Sequence, residues 1–213
     1  MHSLNRFHKP FIAAALLLTF LATTLLQGCG GLIVGAAGGA ALAAHDRRDA
    51  KTILEDQSIE SKAVDKLYGD KRLNKKIHVN VTSYNRVVLV TGEVLSSELR
   101  EHAISIVRNI PEVRRVHNEL AVADLTSFSS RTNDTWITSK VKSRIASADG
   151  LDTTRVKVVT ENGTVFLMGL VTEKEAELAV DAARYADGVK RVVKIFEYVP
   201  EPEPPAQPKQ TQS

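Results

Sequence analysis

The side chains able to do chemistry are few and scattered along these 213 residues. There is one cysteine, Cys29, and no second thiol in the chain to form a disulfide or a cysteine metal site with it. Of the six histidines, His2 and His8 stand near the amino terminus and His45 follows a glycine-rich stretch. His78, His102 and His117 are spread through the middle. One family of zinc hydrolases carries two histidines one helical turn apart beside a glutamate, dithiol redox sites pair two cysteines, and many serine nucleophiles sit on a glycine-flanked elbow. The motifs HExxH, CxxC and GxSxG are all absent from the sequence. His78 on a strand and His117 near a strand end are expected to be half-exposed surface residues rather than ligands. Glu173, Glu175 and Glu177 crowd a helix start, where carboxylates favour the helix dipole. The expectation is a protein that is not an enzyme, with no cofactor, no metal, no small-molecule substrate and no coupled pair of ionisable groups.

Cys29 gains meaning from what precedes it. Arg6 and Lys9 give a positive start, Phe11 to Leu26 is almost wholly apolar, and the small residue Gly28 stands directly before the thiol. That order is the grammar of an export signal. The segment Leu26-Gln27-Gly28-Cys29 also resembles a bacterial lipobox, which implies cleavage before Cys29 and acylation of its sulfur and new amino terminus. Acylation would remove the difficulty of a lone thiol in an oxidising compartment. Gly30, in place of aspartate, implies sorting to the outer membrane. The alternative is an uncleaved membrane helix, since the apolar character runs on through "GLIVGAAGGAALAA" and Gly31 to Gly35 makes a GxxxG. Against it, five glycines between Gly30 and Gly39 make a poor helix. No strand precedes them, so they match a phosphate loop weakly. Residues 1–28 are therefore assigned to the signal and 29–54 to a lipidated flexible tether.

Removing residues 1–28 takes away two of the 28 basic residues and none of the 25 acidic ones, leaving 26 against 25 and a net charge of +1. So small an excess gives little support to a nucleic-acid partner. At the other end, "PEPEPPAQPKQTQS" from Pro200 holds five of the seven prolines. Such a composition cannot bury a core, and residues 201–213 are expected to form a disordered tail.

Between these ends one module is written twice. "DQSIESKAVDKL" (Asp56–Leu67) aligns with "DTWITSKVKSRI" (Asp134–Ile145), and "VTSYNRVVLVTGEV" aligns with "VTENGTVFLMGLV" so that Gly92 falls on Gly169. Later, "IPEVRRV" matches "ADGVKRV". Two copies of about 68 residues mean two domains of one fold, over 55–124 and 133–200, joined by a polar linker at 125–132. Within a copy the first segment is helical: Ile137, Val141, Ile145 and Ala148 recur on one face, and Asp134 is expected to cap the start. A strand pair from Val156 to Met168 is broken by Asn162-Gly163, a strong hairpin signal. A second helix opens at the capping box Thr172-x-x-Glu175, and a β-rich run from Val189 to Val199 closes the copy. The order αββαβ predicts an α+β fold, each copy a three-stranded mixed sheet with two helices on one face.

The αββαβ repeat, its central glycines Gly92 and Gly169, and the closing "GVKRV" and "EVRRVHNEL" resemble the BON domain. Two copies behind a lipobox are similar to the dual-BON-domain lipoproteins of proteobacterial outer membranes, most closely over "NDTWITSKVKSRI" and "TENGTVFLMGLVTEKEA". The resemblance spans the chain after the signal except the proline-rich tail, which departs from the pattern, as does Lys194 where the first copy has Asn118. It implies a role in outer-membrane integrity, association with the division site and with the β-barrel assembly machinery, and phospholipid contact through the first helix of the second copy.

That helix carries the only tryptophan, Trp136. With Ile137, Val141 and Ile145 turned to the core, Trp136, Ser139, Ser143 and Ala146 lie on the opposite side, flanked by Lys140 and Lys142. The first copy offers Ser58, Ser61, Asp65 and Tyr68 on the matching face, with Val64 in place of Lys142. Indole with lysines and no acid suits an anionic phospholipid such as phosphatidylglycerol. The bland alternative is that Trp136 staples the helix start or packs against the first copy. In function, the alternative to lipid recognition is a scaffold that docks envelope proteins.

Overall fold

The computed structural model describes residues 46–201. The expected signal, the lipobox with Cys29, most of the tether and the tail beyond Glu201 lie outside the described residues. The first copy comprises α1 (Ala50–Gly69), β1 (Ile77–Tyr84), β2 (Val87–Val94), α2 (Ser97–Arg108) and β3 (Arg115–Val122). The second comprises α3 (Phe128–Ala146), a 3-10 turn (Thr153–Arg155), β4 (Val156–Glu161), β5 (Thr164–Val171), α4 (Glu173–Arg184) and β6 (Arg191–Tyr198). Each sheet has three strands, with the hairpin antiparallel and the last strand parallel to the central one. The α+β class and the mixed sheets are those the repeat predicts.

Helix stripes and strand alternation build one core per copy. Ile59, Ala63 and Leu67 on α1 meet Val88, Val90 and Val94 of β2 and Ala103, Ile104 and Val107 of α2. In the second copy Ile137, Val141 and Ile145 meet Val165, Leu167 and Val171 and the alanines of α4. The capping box of α4 forms as the sequence predicts, with Thr172 and Glu175 bonding each other's backbone N–H.

A third core joins the copies. Along β2 and β5 the alternate residues turn away from the helices, and Val87, Leu89, Phe166 and Met168 pack together with Tyr84 and Ile195. The two sheets therefore meet through their helix-free faces, giving layers of helix, sheet, sheet and helix. This is why "VVLV" and "VFLM" are continuous apolar runs: that part of each strand is buried on both faces.

Three expectations are corrected. The tether does not extend to residue 54: Asp49 caps α1, which begins at Ala50, and Arg47 reaches the Leu170 carbonyl at 2.9 Å and pairs with Glu175. The linker is shorter than 125–132, because α3 begins at Phe128 behind the cap Ser127. Asp134 therefore does not cap a helix. It lies inside α3, buried, and its carboxylate accepts the N–H groups of Asn162 and Gly163 at 2.8 Å. Asp56 holds the first hairpin in the same way, through Asn85 N–H at 2.8 Å and Arg86 N–H at 2.7 Å. The repeated aspartate is a clamp between helix and hairpin.

Candidate functional site

The outer face of α3 is fixed by its inner face. Ile137, Val141 and Ile145 are at most 1% exposed, so the residues rotated away from them must meet solvent. Trp136 is 66% exposed, and Ser139, Lys140, Lys142, Ser143 and Ala146 are all exposed. The structure thus brings the six residues singled out from sequence onto one surface, and Trp136 is not buried against the first copy. Ser139 turns its hydroxyl back to the Thr135 carbonyl at 3.0 Å, which leaves the indole and the lysines as the outward groups. Lys140 leans towards the Asp187 carbonyl at 3.5 Å. Ser143 also borders a shallow cleft between α3 and α4 lined by Arg144, Asp181 and Tyr185. Tyr185 is 61% exposed, with the Arg184 guanidinium 4.5 Å from its ring centre. Sequence reasoning missed this second aromatic-basic pair because the motif "ARYAD" marks it as a helix end.

The histidines fall elsewhere. His102 bonds Asp70 at 2.9 Å and His117 is half-buried, its imidazole pushed down by burial and by Arg115. His78 is not the half-exposed surface residue expected: its Nδ1 lies 3.2 Å from Glu93, and its side chain is only 17% exposed. With Glu161 these residues form the one cluster of metal-ligating types found among the described residues, all three donor atoms lying within 4.8 Å of one another. The carboxylates already accept hydrogen bonds across the copies, Glu93 from Asn162 at 2.7 Å and Glu161 from Asn80 at 3.0 Å. Glu93 also takes the Thr126 hydroxyl at 2.6 Å. Burial pushes the Glu93 carboxyl up, but the donors Thr126, Asn162 and His78 outweigh it and hold it below the usual range. Glu161 is pushed above that range by burial and by the charge of Glu93, against the Asn80 bond. His78, Glu93 and Glu161 thus form one polar cluster. It sits in the joint between the sheets rather than in an open cleft.

Among the described residues no helix is long and apolar enough to cross a membrane. Two αββαβ units joined sheet to sheet, with an exposed aromatic-basic helix on the second, define a double-module protein built around surfaces. The BON domain family matches residues 55–124 and 133–200, the two copies, and the chain belongs to that family.

The outer membrane lipoprotein DolP of Haemophilus influenzae is 37% identical over 178 residues, covering 84% of this chain and 92% of that protein. A 21 kDa hemolysin of Actinobacillus pleuropneumoniae is 32% identical over 72% of this chain and 79% of its own length. The osmotically-inducible protein Y of Escherichia coli is 29% identical over 65% of this chain and 70% of its own. With these relatives, the protein is an outer-membrane lipoprotein carrying two BON domains.

Proposed function

We propose that the protein acts without catalysis, binding anionic phospholipid, phosphatidylglycerol for example, through the outer face of α3 and so helping to maintain outer-membrane integrity. The observation that carries this reading is Trp136, two-thirds exposed beside Lys140 and Lys142. Holding so large an apolar surface in water is unfavourable unless an interface receives it. Indole settles at the boundary of headgroups and acyl chains, and each lysine near an anionic surface contributes ~1 kcal/mol. The first copy has Asp65 on its matching face and would be repelled. An acyl anchor on Cys29 would hold the chain on a membrane through more than one chain, leaving α3 to select where it resides, the division site included.

The test is co-sedimentation of the unlipidated protein with phosphatidylglycerol vesicles. Trp136→Glu is expected to abolish binding while circular dichroism and melting stay as in the parent; a folded variant that still sediments with the vesicles refutes the proposal. A second reading, a scaffold docking envelope machinery such as the β-barrel assembly complex, is supported by an open groove between α3 and β4 lined by Ile145, Ala146, Val156 and Val158.

A further inference from the structure

The two copies differ at the place where the first helix of each passes the free edge of its hairpin. In the first copy Tyr68 of α1 fills that place. Its hydroxyl accepts the Val79 N–H and donates to the Val79 carbonyl, both at 3.0 Å, so a phenol ring lies clamped on the strand edge. The repeat sets Ala146 on Tyr68 and Val156 on Val79. With a methyl group in place of the phenol, a groove of about 550 Å³ lies open between α3 and β4. Ile145, Ala146, Val156 and Val158 give it an apolar floor, and Lys142 and Lys157 stand at its rim. One end is closed by Tyr84, with Arg48 stacked 3.9 Å from its ring centre. Arg48 is neutralised by Asp46 and Asp56, and Lys157 shares its charge with Glu60 at 3.8 Å, so the positive charge offered to an incoming group comes chiefly from Lys142.

We propose that this groove is a docking site for a tyrosine side chain carried on an acidic segment of another envelope protein. The first copy shows what such a groove holds, an aromatic ring lying on the edge of the strand; in the second copy the Val156 N–H is taken by the Thr153 carbonyl, so the ring's fit to the apolar floor rather than a bond to that N–H carries the likeness. A tyrosine has few rotatable bonds to immobilise and a large apolar surface to bury, which makes it a common anchor in protein interfaces. The rim adds selectivity by charge, because acids flanking the tyrosine would meet Lys142 and Lys157. The proposal does not rest on the phospholipid reading, although Lys142, Ser143 and Ala146 belong both to the groove and to the outer face of α3: Trp136, which carries that reading, does not line the groove.

A capped Glu-Tyr-Glu tripeptide, titrated into the isotope-labelled unlipidated chain, tests it. Saturable amide shifts at Ala146, Val156 and Lys157 are expected, with affinity lower by roughly tenfold or more for capped Glu-Ala-Glu. Ala146→Tyr should close the groove as Tyr68 does in the first copy and remove the shifts. Should that variant not fold, Lys157→Glu, at an exposed rim position, should weaken binding of the same peptide. Equal affinity for the two peptides, shifts that persist in folded Ala146→Tyr, or binding unchanged in Lys157→Glu would overturn the proposal. It would also be overturned if dihexanoyl phosphatidylglycerol moved these amides and the tyrosine peptide did not, making the groove a lipid site.

Discussion

The two copies share a frame and differ on its surface. Both use a buried aspartate from the first helix to hold the hairpin, Asp56 on Asn85 and Arg86, Asp134 on Asn162 and Gly163. Both place glycine on the central strand, Gly92 and Gly169, where an added Cβ would run into the carbonyl oxygen of His78 on the neighbouring strand or of Arg155 just before it. Both turn a hairpin asparagine towards the other copy, Asn85 to Glu197 and Asn162 to Glu93, each at 2.7 Å. The outer faces of α1 and α3 then diverge. On α1, Tyr68 is tied to Val79 and Asp65 faces out; on α3, Trp136 is unclamped, lysines flank it, and Ala146 leaves a groove. Duplication has kept what holds the module together and let the outer surfaces of the two first helices diverge.

If that division is right, substitutions in the shared frame should damage both copies, and the largest effects belong to the glycines. Gly169→Ala forces a methyl into the Arg155 carbonyl, which has no flexible side chain to yield, and Gly92 adds a φ of +113° that alanine resists. Each is expected to cost about 3 kcal/mol and to lower the melting temperature by roughly 10 °C. Parental melting of either variant would show that the sheet tolerates a side chain there.

The aspartate clamps come next. Asp134→Ala leaves two hairpin N–H groups without their acceptor, one of them buried, an expected loss of about 2 kcal/mol. Asp56→Ala should cost more, because Asp56 also accepts the Ser83 hydroxyl at 2.6 Å and pairs with Arg48. Urea denaturation of the two variants measures the difference, and equal losses would remove the extra role of Asp56.

The smallest effect lies in the joint and depends on pH. The Glu161 carboxyl titrates higher in the folded protein than its ordinary 4.5, burial being the main cause. The folded state thus prefers the protonated acid. Its contribution to stability is fully present below pH 4.5 and is lost as the pH rises through the folded value. Glu161→Gln should therefore melt higher than the parent at pH 7, by about 2–4 °C, with the gap closing below pH 4.5. A variant melting lower at pH 7 would mean that the charged form is favoured in the joint.

Much of the fold is legible in the sequence because it rests on local signals. The stripe of Ile137, Val141 and Ile145, the Asn162-Gly163 turn and the Thr172–Glu175 box each dictate a conformation within a few residues. The exposed position of Trp136 follows from the same stripe. What the sequence conceals depends on the meeting of the copies. The continuous runs in β2 and β5 are the one signal of a second buried face, and they are hidden by their likeness to any core strand. His78, Glu93 and Glu161 are far apart in sequence and meet across the joint. The groove beside Ala146 is visible only by comparison, since an alanine on a helix means nothing until the strand contact of Tyr68 is known. Asp134 misleads as a cap because its partners, the hairpin N–H groups, are brought to it by tertiary structure.

Because Trp136 is the only tryptophan, its own fluorescence reports the central claim directly. On titrating the unlipidated protein with phosphatidylglycerol vesicles, the emission is expected to shift to shorter wavelength as the indole enters the interface. With two lysines contributing ~1 kcal/mol each, binding should be roughly 30-fold tighter than to phosphatidylcholine vesicles. An emission unchanged by phosphatidylglycerol, or an equal shift and affinity with phosphatidylcholine, would contradict recognition of anionic lipid by this helix.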